Sequence, residues 1–211
     1  MTASERGLNT RILASYELLN YCKYLFDSDG FYRKSPKSQL LVEVLTFGDF
    51  AEVFFKKIME FYALPGVKRI DLIFDRYDDI SIKFLETKLR IQNQIIKNII
   101  ISNDSTKIPT DCKAFPTNAH NKLQLVRFLC ANAPKYAQVK EDCEMYICGG
   151  FDDTTKCFKL QGSSICEVLE LQSNHLEADS RMFAHIFHAV RIQSAHIIII
   201  SADTDVFVLA V

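Results

Sequence analysis

Four successive isoleucines stand in the stretch His196-Ile197-Ile198-Ile199-Ile200-Ser201, and this stretch decides the predicted fold. A β-branched run that does not alternate with polar residues is typical of a strand buried on both faces, as in a parallel sheet. The runs Ile70–Phe74 and Met145–Cys148 have the same apolar character. We therefore predict that the three strands are parallel neighbours in one sheet, with helices on both of its faces.

Helical patterns separate these strands. Apolar residues recur at helical spacing in Thr46–Tyr62 and in Asn121–Asn132, and Ile80–Ile101 is typical of a long, partly basic helix. The sequence Asn174-His175-Leu176-Glu177 fits a capping box and predicts a helix that begins there and runs to about Val190. The alternation of strands and helices predicts an α/β domain.

The domain organisation follows from the same patterns. Residues 1–40 are interpreted as an N-terminal extension and residues 41–211 as the α/β domain. A small hairpin is expected over Cys157–Leu171, with its turn at Gly162-Ser163-Ser164. The sequence stops at Val211 inside an apolar run, so we expect a domain that is incomplete at both ends.

Composition limits the function classes. The 211 residues carry a net charge of −1, whereas a protein that coats nucleic acid is usually strongly basic. Any contact with DNA or RNA is therefore expected to be local. The sequence has no apolar run of the ~18 residues that a membrane span needs, so no membrane association is expected.

Seven cysteines occur, and no two of them form a CxxC pair. The start of the sequence is polar, so we expect free thiols in an intracellular, reducing compartment, cytoplasmic or nuclear. The alternative is a zinc site that combines Cys143 and Cys148 with His185 and His188, although neither pair has a partner at finger-like spacing.

Carboxylates follow the predicted strands. Asp75 ends the first apolar run, and Asp203 and Asp205 come directly after the isoleucines. Glu177 and Asp179 lie at the start of a predicted helix, where exposed N–H groups favour anions. Ligands of open parallel sheets bind beyond the carboxyl ends of the strands. Acids gathered there favour a hard divalent cation, Mg²⁺ or Mn²⁺.

Each acid also has a structural interpretation. Asp75 can be an ordinary loop-start residue. Glu177 can be the capping-box glutamate. Asp203 and Asp205 are harder to explain in this way, because two acids after a buried strand are costly unless they are solvated, paired or metal-bound.

Taken together, these motifs resemble those of PIN-like, flap-endonuclease-type nucleases. The sequence is most similar to a group of poorly characterised animal PIN-like proteins over residues 46–211. The motifs that carry the resemblance are Phe74-Asp75-Arg76-Tyr77, Ser81-Ile82-Lys83, Asn174-His175-Leu176-Glu177-Ala178-Asp179-Ser180-Arg181 and Asp203-Thr204-Asp205-Val206-Phe207-Val208-Leu209.

The resemblance implies a three-layer α/β/α fold with a mainly parallel central sheet. It also implies Mg²⁺- or Mn²⁺-dependent hydrolysis of phosphodiester bonds in DNA or RNA. The implied catalytic and metal-binding residues are Asp75, Glu177, Asp179, Asp203 and Asp205. The implied contacts to the phosphate backbone are Lys83, Lys88 and Arg90, which without the resemblance indicate a solvated helix face.

The sequence departs from this pattern at its first acidic motif. Such nucleases begin with a strand that ends in aspartate, but here Leu41–Leu45 runs directly into Thr46. Glu43 and Asp49 are the nearest acids, and neither follows a strand. We therefore expect weak or absent cleavage.

Two other functions remain open. A catalytically inactive PIN-like interaction module would retain the fold without the first acid. An Asp-x-Asp motif after a buried strand also resembles haloacid-dehalogenase phosphatases and nucleotide-sugar glycosyltransferases. That motif opens the domain in the phosphatases, whereas here it lies close to residue 211.

Overall fold

The strands of the computed structural model form one mixed sheet. The structure describes residues 9–14, 44–76, 97–110, 114–192, 194 and 196–200. Within these ranges the sheet has six strands in the order β5-β4-β3-β2-β1-β6. The strands are β1 (Asn9–Ala14), β2 (Val67–Ile73), β3 (Glu144–Cys148), β4 (Cys157–Gln161), β5 (Ser164–Glu167) and β6 (His196–Ile200).

Both parallel and antiparallel pairs occur in this sheet. β2 is parallel to β3, and β1 is parallel to both β2 and β6. The hairpin of β4 and β5 continues the sheet antiparallel to β3. The α/β class, the hairpin and the parallel pairing of β2 with β3 are thus confirmed.

The position of the isoleucine strand differs from the prediction. β1 separates β6 from β2, so these two strands are parallel but are not neighbours. β1 belongs to residues 1–40, which the sequence patterns assign to an extension. Within the described sheet β6 lies at the edge, and Ile198 is 41% exposed, so burial of β6 on both faces was a wrong prediction.

Helices cover both faces of the sheet. The structure describes α1 (Phe47–Met59), α2 (Ala119–Tyr136) and α3 (Ala178–Arg191). α1 and α2 pack with Ile70 and Leu72 of β2 and with the following Phe74 in one core, whereas α3 packs with Ile73 in a second core. Alternate residues of β2 therefore contact opposite layers, as the two-residue period of a strand requires.

Local chemistry fixes the start of α1. Thr46 and Asp49 form a capping box, in which the Thr46 hydroxyl accepts from Asp49 N and the Asp49 carboxylate accepts from Thr46 N. The predicted helix at Thr46–Tyr62 is confirmed, and its last turn is the 3-10 helix Glu60–Ala63. Asp49 is thus a capping residue and does not replace the missing strand-end aspartate.

Two of the predicted helices differ in extent from the described structure. α2 confirms the predicted Asn121–Asn132 helix and begins earlier, because Asn118 accepts a hydrogen bond from His120 N and caps it. Most of the predicted helix at Ile80–Ile101 lies outside the described residues, and residues 97–101 are not helical. None of the helices described here is both long and apolar enough to cross a membrane.

Candidate functional site

Asp75 meets the beginning of α3 at the carboxyl edge of the sheet. It stands two residues after β2, and its Oδ1 accepts a hydrogen bond of 2.9 Å from the backbone N–H of Ala178. Ala178 is the first residue of α3, where the helix presents unpaired N–H groups and the positive end of its dipole. Asp75 therefore caps a helix that lies 103 positions away in sequence.

This contact brings three of the predicted acids to one region. Glu177 is the N-cap residue of α3 and Asp179 lies in its first turn, so both flank the N–H group that Asp75 binds. The side chain of Glu177 makes no capping hydrogen bond. The capping-box explanation of Glu177 is thus wrong, and α3 begins four residues after Asn174.

Arg76 explains why the helix does not begin at Asn174. Its backbone N–H donates to Leu176 O at 2.8 Å, and its guanidinium donates to Asn174 O at 2.6 Å. The same guanidinium donates to the Thr154 hydroxyl at 2.7 Å. Two of these hydrogen bonds are accepted by backbone carbonyls of the segment before Glu177, and they hold this segment next to the end of β2.

The remaining predicted site residues lie outside the described residues. They are Asp203, Asp205, Lys83, Lys88 and Arg90. The strand that precedes Asp203 is described. β6 is parallel to β1 and ends at Ile200, opposite Leu13. β6 therefore ends on the same edge as β2, two strand spacings from it, or about 10 Å at ~4.8 Å per spacing.

No metal cluster is formed within the described ranges alone. There, no group of three or more His, Cys, Asp or Glu side chains is arranged to hold a metal ion. The zinc alternative fails on geometry as well: Cys148 Sγ lies 3.6 Å from His185 Nε2, but His188 Nδ1 faces the Arg69 guanidinium at 2.8 Å. The carboxylate site of the predictions includes Asp203 and Asp205, which this finding does not cover.

A second polar cluster, which we call the buried network, lies between β2, β3 and α3. Asp71 is fully buried and accepts two hydrogen bonds from Arg69, at 2.7 and 2.6 Å. It also accepts one from His185 Nδ1 at 2.7 Å. Arg69 continues to His188, whose Nε2 lies 3.4 Å from a carboxylate oxygen of Glu170.

Electrostatics in the buried network favour the charged forms of Asp71 and His185. Burial alone would raise the pKa of Asp71, but the hydrogen bonds from Arg69 and His185 outweigh it and lower the pKa. Burial would likewise lower the pKa of His185, but the charge of Cys148 and the bond to Asp71 raise it to about 9. Asp71 and His185 therefore stabilise each other in their charged forms beside Arg69.

The sequence contains a signal for this network inside the predicted strand before Asp75. Arg69 and Asp71 are two residues apart in a mainly apolar strand, so their side chains project from the same face. Two opposite charges placed in this way predict an internal ion pair. His185 and His188 are three apart on α3 and therefore also share a face.

Comparison with known proteins gives no family assignment. No protein-family model matches the chain, and neither a curated protein nor a solved structure matches it.

Proposed function

We propose that this chain is a PIN-like domain with a divalent-metal site for phosphodiester hydrolysis at the carboxyl edge of its sheet. The proposed metal ligands are Asp75, Glu177, Asp179, Asp203 and Asp205. One observation carries the proposal: the hydrogen bond from Ala178 N to Asp75 joins the end of β2 to the start of α3. Acids from two distant parts of the sequence thus share one edge.

Topology supports the same location. The parallel strands stand in the order β3-β2-β1-β6. β2 and β3 are therefore added in sequence on one side of β1, and β6 is added on the opposite side of β1. In open α/β sheets ligands bind beyond the carboxyl ends of the strands, where the order reverses. That point lies between β1 and β6, beside the exit of β6 toward Asp203.

The ligand chemistry fits Mg²⁺ or Mn²⁺. All five proposed ligands are carboxylates, and hard divalent cations prefer oxygen donors. A bound ion of this kind would stabilise the negative charge that develops on the phosphate during hydrolysis. The proposed roles of the protein are to orient the carboxylates through the α3 cap and to hold the nucleic acid through Lys83, Lys88 and Arg90.

A non-catalytic module is the second candidate, and one observation favours it. β1 is the strand at which the order reverses, yet no aspartate stands in it or directly after it. Ser15 and Tyr16 follow Ala14, and the first carboxylate is that of Glu17. This chain therefore lacks the strand-end acid of the first motif, so we expect metal binding with weak or absent cleavage.

Metal binding is the direct test. Mn²⁺ titration by calorimetry should give at least about tenfold weaker binding for Asp203→Asn/Asp205→Asn, because each lost carboxylate removes a charged ligand. Asp75→Asn should weaken binding while its amide oxygen still caps α3. Asp152→Asn is the matched control, since Asp152 is exposed in the loop after β3. Equal binding by all four proteins would remove the metal-site proposal.

Cleavage distinguishes the two candidates. Labelled single-stranded DNA and RNA are incubated with the protein and Mg²⁺, and the products are separated by length. Robust cleavage that Asp75→Asn abolishes would establish the nuclease and refute the non-catalytic module. Mn²⁺ binding without cleavage would establish the module.

Nucleic-acid contact has its own test. The triple variant Lys83→Ala/Lys88→Ala/Arg90→Ala should bind a labelled oligonucleotide more weakly, and the slope of log affinity against log salt should fall by about 2–3 for single strands. The control removes three exposed lysines elsewhere, with the same change in net charge: Lys56, Lys107 and Lys140. Equal losses in both variants would mean that the segment is not a specific phosphate contact.

A further inference from the structure

Two buried cysteines face each other across the β3–β4 pair. Cys148 and Cys157 are directly opposite residues of this antiparallel pair, and both are 0% exposed. Residues in this relation have Cα atoms about 4.5–5.5 Å apart, within the range of about 4.4–6.8 Å found for disulfides. Each of the two thiols shifts the pKa of the other, as expected for side chains that lie side by side.

Cys148 also belongs to a chain of polar contacts. Its Sγ lies 3.6 Å from His185 Nε2, while the other ring nitrogen of His185 is bound to Asp71 at 2.7 Å. The order thiol, imidazole, carboxylate is the arrangement that generates thiolates in proteins, because the carboxylate stabilises the imidazolium that keeps the thiolate's proton.

Arg181 supplies a further positive charge beside the cysteines. It is 0% exposed, and its guanidinium donates to the backbone carbonyls of Thr154 and Thr155 at 3.2 and 3.5 Å. Its Nε has no hydrogen-bond partner. A buried guanidinium bound to neutral carbonyls is costly unless an anion lies nearby.

A thiolate at Cys148 would be such an anion. The hydrogen bond from the Cys157 thiol lowers the pKa of Cys148 well below its usual value despite burial, and the charges of His185 and Arg181 add to this. The same hydrogen bond and burial raise the pKa of Cys157, which therefore stays a thiol. The pair thus combines a nucleophilic sulfur with a protonated neighbour.

We propose that Cys148 and Cys157 form an oxidative modification site, in which a peroxide converts the two thiols into an intramolecular disulfide. The Cys148 thiolate attacks one peroxide oxygen, the O–O bond breaks, and the departing hydroxide takes the proton of the His185 imidazolium. Cys148 is then a sulfenic acid. The Cys157 sulfur attacks it, the S–O bond breaks, and the hydroxyl leaves as water with the thiol proton.

The electrons and atoms balance in this sequence. The two sulfurs lose two electrons in total, and hydrogen peroxide gains them to become two molecules of water. Buried thiols in apolar surroundings are inert, but Cys148 stands among positive charges, which is the environment of reactive cysteines. Burial selects a small oxidant, because a bulky reagent has no access to a side chain with 0% exposure.

The test is peroxide oxidation of the folded chain. After treatment with hydrogen peroxide and a quench with N-ethylmaleimide, mass spectrometry of the digested protein should find the linked Cys148–Cys157 peptide. Cys157→Ser should instead accumulate a sulfenic acid on Cys148 that dimedone traps. Cys143→Ser removes another buried cysteine near the amino end of β3 and should leave the linkage unchanged.

The pH dependence separates an activated thiolate from an ordinary thiol. In the wild-type protein the rate of disulfide formation should rise much less steeply between about pH 6 and 8 than that of an unperturbed thiol, which reacts roughly tenfold faster per pH unit in this range. His185→Gln should restore the steep pH dependence, and a thermal melt shows whether this variant folds. If the variant does not fold, the wild-type pH profile alone distinguishes an activated thiolate from an ordinary thiol.

Three results would overturn the proposal. The first is oxidation of the exposed Cys166 without the Cys148–Cys157 linkage. The second is a wild-type rate that rises tenfold per pH unit. The third is alkylation of Cys148 by N-ethylmaleimide as fast as disulfide formation, because the thiols would then react only in an opened form of the protein.

Discussion

Replacing Asp71 by Asn should be among the most destabilising single changes in this protein. Asp71 is 0% exposed and accepts three hydrogen bonds of 2.6–2.7 Å, two from Arg69 and one from His185. Asparagine keeps the shape but removes the charge, so a buried guanidinium loses its carboxylate. Breaking a buried pair in this way costs about 3–5 kcal/mol, against a total stability of about 5–15 kcal/mol for an ordinary domain.

Urea denaturation followed by far-UV circular dichroism measures this loss. With a slope of about 2 kcal/mol per molar urea, the midpoint should fall by about 1.5–2.5 M. Asp142→Asn is the matched control, because Asp142 pairs with Lys68 at the surface and both side chains are largely solvated. Solvated pairs contribute little, so that midpoint should barely move. Equal midpoints for the two variants would refute the reasoning.

The pH dependence of the same variant provides a second check. The pKa of Asp71 is lowered in the folded protein, because the hydrogen bonds from Arg69 and His185 outweigh its burial. Its contribution to stability is therefore present above the unfolded pKa of about 3.9 and is lost as the pH falls through the folded pKa. The difference in the free energy of unfolding between wild type and Asp71→Asn should therefore become smaller below about pH 4. If this difference did not change with pH, the charge of Asp71 would not be what stabilises the fold.

Three further predictions use the same denaturation assay. The pKa of His188 is lowered by burial and by the neighbouring arginine, so the unfolded chain binds its proton first and stability should fall as the pH drops below about 6.5. His188→Gln should flatten this fall, and the exposed His196→Gln should not. Gly149→Ala should lower the urea midpoint more than Gly162→Ala. Both glycines have positive φ, but a Cβ at Gly149 would lie 2.4 Å from a backbone oxygen. A Cβ at Gly162 would meet only the end of a flexible side chain. Asp75→Ala should cost about 1 kcal/mol as a lost N-cap, and Asp75→Asn should cost less; equal effects would mean that the cap does not stabilise α3.

The parts of the fold that the sequence predicted are those with a local signal. Mainly apolar runs identified β2, β3 and β6, and a Gly-Ser turn between short strands identified the β4–β5 hairpin. β1 has no such signal: Asn9–Ala14 begins with three polar residues and ends with three apolar ones. Its place between β2 and β6 depends on partners that are distant in sequence, and no local pattern reports them.

The candidate site divides in the same way. Asp75 was predicted at the end of a strand because its position relative to Ile70–Phe74 is local. Its bond to Ala178 could not be predicted, because it depends on how α3 lies across the sheet. The Arg69–Asp71 pair was predictable from the two-residue period of β2, but the strand was identified from its apolar residues alone.

α3 is held against β2 by polar contacts as well as apolar packing. Asp75 binds Ala178, Asp71 binds His185 and Arg69 binds His188. The residue numbers decrease from Asp75 to Arg69 while those of their partners on α3 increase. The helix therefore runs antiparallel to the strand. Four strand residues span about 13 Å and seven helix residues about 10 Å, so the first two contacts have nearly matching spacings.

This matching explains how an internal ion network can determine geometry at the edge of the sheet. Apolar contacts are not directional, so the packing of Met182 against Ile73 does not by itself define the position of α3 along its axis. The charged contacts do define it, because a shift by one residue would separate Asp71 from His185 and leave buried charges unpaired. The buried network thus holds the first turn of α3, with Glu177 and Asp179, at the end of β2 where Asp75 stands.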